Sequence, residues 1–215
     1  MKILYRVVNA LLAATIFPVA LLLEFVILRL STSFVDAGLE ETFTLKQIIG
    51  FFTGDDRLFG FTYDQIASGG KSFSFPEALD PVKGQLIAVV VAFALAIIAA
   101  VFIIFWSIFS NRRIPVIISS VVGIASVITM NICFNSAAAP LIDGSINVLN
   151  LFSTGWLTSL LGNVVFVDTL SFAGFHNGMI IVFVSLLMWT GAFYIVEIGE
   201  PKEEKAPKKS KKNKK

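Results

Sequence analysis

The fold of this chain is decided by the stretch 86–134, which reads LIAVVVAFALAIIAAVFIIFWSIF (86–109), SNRRIP (110–115) and VIISSVVGIASVITMNICF (116–134). The first run has no charged residue over 24 positions, which is the length that a helix needs to cross a hydrocarbon core about 30 Å thick. The stretch therefore predicts a hairpin of two transmembrane helices, 86–109 and 116–134, joined by the basic turn 110–115.

Two further apolar runs predict two more spans, at 7–30 and 175–196. Pro18 lies inside the first run, and the backbone hydrogen bond that it removes predicts a kink. This run exceeds the 7–15 residues of a signal-peptide core, so we expect an uncleaved span. Charged residues make up 15% of the chain, against about a quarter in soluble domains. The predicted fold class is an all-α integral membrane protein built as a four-helix bundle.

The segments between the spans differ in composition. The first loop, 31–85, is acidic, and its length predicts a small folded cap that includes a short helix at 44–52. The second loop, 135–174, contains no Lys or Arg. Within it, 146–167 places apolar and uncharged polar residues on opposite helical faces, which predicts an interfacial or re-entrant helix. The tail 197–215 lacks apolar periodicity and is predicted to be disordered.

Positive charge predicts the orientation in the membrane, because Lys and Arg accumulate on the cytoplasmic side. The segment 1–6 is basic, as are the turn 110–115 and the tail, whereas both loops are poor in basic residues. Both termini are therefore expected in the cytoplasm and both loops outside, most simply at the plasma membrane. The main predicted determinants are Arg112, Arg113, Lys208, Lys209, Lys211 and Lys212. The tail lysines are also candidates for contact with anionic lipid.

Small side chains mark two helical faces. Residues four apart share one face of a helix, and small residues there let a second helix approach closely in lipid. We expect these faces to be buried within the bundle or against a partner. They consist of Ala88, Ala92, Ala96 and Ala100 on the second span and Ser119, Gly123 and Ser126 on the third.

The predicted spans and their ends contain only a few polar residues that are candidates for a functional role. Glu24 lies in an apolar run, where a carboxylate is a functional hypothesis, although about 25 Å of helix from Val7 places it near the outer interface. Asn131 and Asn135 lie one turn apart. The single histidine, His176, and the single cysteine, Cys133, exclude histidine-rich metal sites and intrachain disulfides. No cofactor, metal site or catalytic set is predicted, and the lysine tail is not interpreted as a nucleic-acid site.

Four spans with a larger first outer loop resemble the layout of claudin-like tetraspan proteins. The segment 31–85 has neither the Trp nor the Cys pair of those families, so no residue role is transferred. We predict a non-enzymatic accessory or scaffold subunit that packs against other membrane proteins, or against itself, through its small-residue faces and outer loops. The alternative is a small transporter or channel subunit, with Glu24, Asn131 and Asn135 lining a path.

Overall fold

The structure is a computed structural model, and it describes residues 2–32, 35–53, 55, 77–110, 112–146 and 165–199. Helices dominate this part of the chain, with three strands at one end. In chain order the elements are α1 (Lys2–Ala14), α2 (Ile16–Leu22), β1 (Glu24–Thr32), β2 (Val35–Thr44), α3 (Leu45–Thr53), a 3₁₀ helix (Glu77–Val82), α4 (Lys83–Phe109), α5 (Ile114–Ile142), β3 (Val165–Phe172) and α6 (Gly174–Gly199).

Within the described residues, four helical stretches are long and apolar enough to cross a membrane. By helix length and composition, the prediction of a multi-pass membrane protein is therefore confirmed. The four stretches run over Ile3–Leu22, Leu79–Phe109, Ile114–Ile142 and Gly174–Val196. The short helix expected at 44–52 is also present, as α3. The third span continues eight residues beyond its predicted end at 134, because the alanine-rich segment that follows remains helical.

The first span ends earlier than predicted. Its helix stops at Leu22, and residues 24–30, expected to be helical, form most of strand β1. An apolar run as short as Phe25–Leu28 fits a buried strand as well as a helix, and its periodicity alone does not separate the two. The span also breaks at Thr15. Pro18 explains this break, because it has no N–H to donate to the carbonyl of Ala14.

The three strands make the prediction of an all-α fold wrong. They form an antiparallel sheet in the order β2-β1-β3, so the central strand comes from the segment predicted as the end of the first span. Of the second loop, 147–164 lies outside the described residues, and with it most of the predicted interfacial helix. Val165–Val167 belong to β3 instead. The lysine tail, from 200 onward, also lies outside the described residues.

The helices α4 and α5 form the most extensive helix pair of the bundle, and α6 and α1 pack against them. Small residues line much of the buried surface, including Ala96 and Ala100, while Phe175, Phe183 and Met179 of α6 fill the space between the helices. Each of these side chains is fully buried. The apolar residues that remain exposed ring the outside of the bundle, as expected where lipid is the solvent.

Aromatic rings fasten the sheet to one end of this bundle. Phe25 of β1 stacks on Phe175 with ring centroids 4.1 Å apart, and it meets Phe93 edge-on at 6.1 Å. Phe172, at the end of β3, stacks on Phe134 of α5 at 4.0 Å. The sheet and the helices therefore share one aromatic core at their junction.

Candidate functional site: a groove along the outer edge of strand β3

An open groove of about 500 Å³ separates β3 from the C-terminal end of α5. Successive side chains of a strand point to opposite faces of its sheet, so a groove that touches four in a row lies along the strand's edge. On its other edge β3 pairs with β1, and no described strand pairs with the groove edge. The lining residues are Asp168, Thr169, Leu170 and Ser171 of β3, with Asn135, Ala138, Ala139, Ile142 and Asp143 opposite.

The two walls have similar lengths and a common closed end. The stacked rings of Phe134 and Phe172 join them, and Asn135 and Ser171 are the next residues outward. From Asn135 to Asp143 the helix advances about 12 Å at 1.5 Å per residue. From Ser171 back to Asp168 the strand spans about 10 Å at 3.3 Å per residue. The geometry thus places both carboxylates toward the open end.

The sheet register explains how Asp168 comes to this position. Arg29 pairs with Thr169 and Leu30 with Val167, which leaves Asp168 opposite no residue of β1. Such a bulge bends the strand and turns the side chain of the extra residue. Asp168 therefore sits where β3 departs from regular pairing, beside the groove and not within the ladder.

The open end of the groove carries two carboxylates and one guanidinium. Asp168 accepts a hydrogen bond from the Ser31 hydroxyl at 2.9 Å, and its other oxygen lies 3.8 Å from Nε of Arg29. Asp143 accepts the backbone N–H of Ser145 at 2.9 Å. The hydrogen bond from the Ser145 hydroxyl has the larger effect on the pKa of Asp143, and the bond from the Ser145 N–H has the smaller one. Both lower this pKa below its ordinary value. Both hydrogen bonds favour the charged form, so Asp143 is an anion at neutral pH.

The helix wall of the groove is small and mostly apolar. Ala138 is buried and Ala139 is exposed, so an incoming chain would meet methyl groups in the middle of this wall and the larger, exposed side chain of Ile142 toward the open end. The strand wall offers the outward backbone N–H and C=O groups of β3. Together the walls suit a group that is extended, hydrogen-bonding along its backbone and cationic at one end.

The predicted small-residue faces lie mainly inside the chain. Ala92, Ala96 and Ala100 are buried, as are Gly123 and Ser126, while Ala88 and Ser119 are half-buried. A Cβ atom at Gly123 would overlap the ring of Phe183 on α6. The small residue at this position therefore accommodates a phenylalanine of a neighbouring helix.

Of the three residues predicted to line a transport path, only Asn135 lines this groove. Glu24 is the first residue of β1, is exposed, and accepts a hydrogen bond from the Thr42 hydroxyl at 3.4 Å. Asn135 is exposed and lines the groove, to which neither Glu24 nor Asn131 contributes. Asn131 is half-buried on α5.

Arginines hold the other end of the bundle together. Arg6 donates from Nε to the carbonyl of Ser107 at 3.0 Å and from Nη2 to that of Ile108, where helix α4 ends and its carbonyls lack helical partners. Arg113 donates to the carbonyl of Phe193 and lies 5.1 Å from the centre of the Tyr5 ring.

Arg112, beside this cluster, is exposed. The predicted topology residues Lys208, Lys209, Lys211 and Lys212 lie outside the described residues. About one helical turn from Arg6 toward the middle of the bundle, Asn9 of α1 and Thr190 of α6 are fully buried. The Thr190 hydroxyl donates a hydrogen bond to Oδ1 of Asn9 at 3.4 Å.

Sequence reasoning misses the interaction of Asp168 with Arg29 and Ser31. Their separation along the chain gives no local signal, and the apolar run 7–30 predicts a helix at Arg29. The spacing of Asp168 and His176 would allow an acid–base pair, but the imidazole instead stacks on Phe172 with ring centroids 6.3 Å apart. Among the described residues, no three His, Cys, Asp or Glu side chains lie close enough to hold a metal ion.

Comparisons with protein-family models, with curated proteins and with solved structures find no match to this chain.

Proposed function

We propose that this protein is a non-enzymatic accessory or scaffold subunit of a membrane complex, which meets its partner through the sheet and groove outside its helix bundle. The observation that carries this proposal is the sheet itself. Strands from two distant segments, 24–44 and 165–172, form one platform, and stacked rings fix that platform to the helices. A platform held in this way can present a partner surface in one orientation.

The place of contact differs from the one that the sequence suggests. Ala92, Ala96 and Gly123 already pack within the chain, so the small-residue faces support the bundle and leave little surface for a partner. The exposed sheet end is the better candidate. We place this end outside the plasma membrane and both termini in the cytoplasm, since Arg6, Arg112 and Arg113 lie at the opposite end. The tail lysines would then meet anionic lipid of the inner leaflet.

The test combines purification with site-specific crosslinking. The tagged protein is isolated from its native membrane in mild detergent, with a photo-crosslinking amino acid at Thr169 on the platform. The matched control carries the same group at Ile118, which is exposed on α5 away from the sheet. We expect a stoichiometric membrane protein that crosslinks from Thr169 and not from Ile118. Isolation of this chain alone, or as a homo-oligomer, contradicts the scaffold proposal.

The transporter alternative has less support. It requires a polar path shared by Glu24, Asn131 and Asn135, yet Glu24 lies on the sheet and only Asn135 reaches the groove. Reconstituted flux that Glu24→Gln abolishes, with assembly intact, would favour transport over the scaffold.

A further inference from the structure

We infer that the groove along β3 takes an extended, basic peptide segment of a partner protein, which adds to the sheet as a fourth strand beyond β3. This inference rests on the proposed function, because it specifies the partner's chemistry. Extended segments bind exposed sheet edges through main-chain hydrogen bonds, while pockets for alternate side chains provide specificity.

The first support is the position of the groove. It follows the edge of β3 that faces away from β1, over four consecutive residues. No strand among the described residues pairs with this edge, and a strand about 4.8 Å away is the geometry that would supply hydrogen-bond partners to its outward N–H and C=O groups. The groove volume of about 500 Å³ lies in the range of sites that enclose a ligand.

The second support is the shape of the opposite wall. Ala138 and Ala139 line the middle of this wall, so a peptide backbone would meet only methyl groups there. The exposed side chain of Ile142 lies beyond them, toward the open end. The ring pair Phe134–Phe172 closes one end, and the walls extend about 10–12 Å from it. This length accommodates about four residues of an extended chain.

The third support is charge. Asp143 and Asp168 line the groove toward its open end, and Arg29 offsets only one of these two negative charges. Exposed acids continue along the neighbouring strands, at Glu24, Glu40 and Glu41. A segment with Lys or Arg side chains is therefore favoured over an acidic one. A second copy of this chain that offered its β2 edge would bring Glu40 and Glu41 against these carboxylates.

The test uses the full chain in detergent and a short blocked peptide of alternating valine and lysine as the probe. Binding is followed by fluorescence anisotropy of the labelled peptide, and amide exchange is measured on the protein with and without it. We expect added protection of outward amides within 168–171 and unchanged protection in β2. The same peptide with glutamate in place of lysine should bind more weakly, and higher salt should weaken the lysine peptide.

Matched variants locate the binding site. Ala139→Trp fills the groove and should weaken binding about tenfold or more, which corresponds to losing the main-chain contacts. Ser136→Trp places the same ring on an exposed position of the same helix outside the groove and should bind as the parent does. Asp143→Asn removes one charge and should weaken binding up to about fivefold, the usual range for an exposed ion pair.

Several results would overturn the inference. These are equal binding of the glutamate peptide, binding without protection in 168–171, and no binding up to about 1 mM. Full protection of the β3 edge in the free protein would show that another part of this chain already covers it. If Ala139→Trp abolishes peptide binding but the native partner still co-purifies, the scaffold function stands and the groove is not its contact. If Ala139→Trp loses the native partner but still binds the peptide, the groove is the partner contact and the peptide binds elsewhere.

Discussion

Gly123 sets how closely helices α5 and α6 approach. Its missing side chain leaves room for the ring of Phe183, which is fully buried. We predict that Gly123→Ala lowers the free energy of unfolding by about 1–3 kcal/mol, the usual cost of overpacking a core. Thermal or denaturant unfolding in detergent, followed by tryptophan fluorescence, measures this change.

Gly191 provides the control for Gly123, because it lies within α6 and a methyl group added to it would meet no atom within 4 Å. Gly191→Ala should leave stability unchanged or raise it by up to about 1 kcal/mol, since alanine favours the helix. Adding Phe183→Leu to Gly123→Ala should recover part of the loss. Equal effects of the two glycine substitutions would contradict the close contact.

Hydrogen bonds from Ser145 stabilise the charged form of the Asp143 side chain. Two hydrogen bonds lower the Asp143 pKa below 3.8, the larger effect coming from the Ser145 hydroxyl and the smaller from the Ser145 N–H. A lowered folded-state pKa stabilises the fold above the unfolded-state pKa, and this contribution is lost as the pH falls through the folded-state value. We predict an NMR titration midpoint for Asp143 below 3.8. Ser145→Ala should raise this midpoint, and a midpoint that does not move would contradict the assignment.

The contact between helices α4 and α5 depends on small side chains. Ala96 is fully buried in the core of the bundle, whereas Ala94, two residues earlier, is exposed on its outside. We predict that Ala96→Leu destabilises the protein by about 1–3 kcal/mol, while Ala94→Leu has little effect, because leucine is well accommodated by lipid. Detergent unfolding compares the pair. If Ala96→Leu abolishes partner binding without loss of stability, the face serves a partner after all.

The junction of sheet and bundle depends on Phe172. Its ring is buried against Phe134 and Phe175, whereas Phe166, on the same strand, is about half exposed. We predict that Phe172→Ala lowers the free energy of unfolding by about 3–5 kcal/mol. Amide exchange should increase in β1 and β3 earlier than it does in the helices. Phe166→Ala should change neither by much. Simultaneous loss of protection in sheet and helices would show that they unfold as one unit.

The sequence predicts the helices far better than the sheet. The runs 86–109 and 116–134 exceed any strand in length and carry no competing signal, so their type follows from the bilayer thickness. The run Phe25–Leu28 is short, and its partners are up to 146 residues away in the chain. Its pairing with β2 on one side and with Leu170–Phe172 of β3 on the other makes it a strand. The groove is invisible for the same reason, because its two walls meet through Phe134 and Phe172.

Charge divides the whole molecule into two ends. Arg6, Arg112 and Arg113 lie at one end, where two of them bind helix carbonyls. The sheet end carries more acidic than basic residues among those described. The acids include Glu24, Glu40, Glu41, Asp55, Asp80, Asp143 and Asp168, and the bases are Arg29, Lys46 and Lys83. The preference of basic residues for the cytoplasmic side of a membrane predicts a partition of this kind.

We propose that this partition sets the orientation of the protein in the membrane, and the orientation can be measured directly. In a Cys133→Ser background, single cysteines are introduced at Thr42 and Ser145, which are exposed at the sheet end, and at Ser110 in the turn between α4 and α5. A membrane-impermeant maleimide should label Thr42→Cys and Ser145→Cys in intact cells. It should label Ser110→Cys only after the membrane is opened.

The opposite labelling pattern would place the groove in the cytoplasm and Arg112 and Arg113 outside. The proposed contact with a basic segment would then have to occur with a cytoplasmic partner. Labelling of all three positions in intact cells would mean that two orientations coexist. In that case Arg112, Arg113 and the lysines of the tail do not fix the topology. If they did, their positive charge would keep this end of the protein on a single side of the membrane.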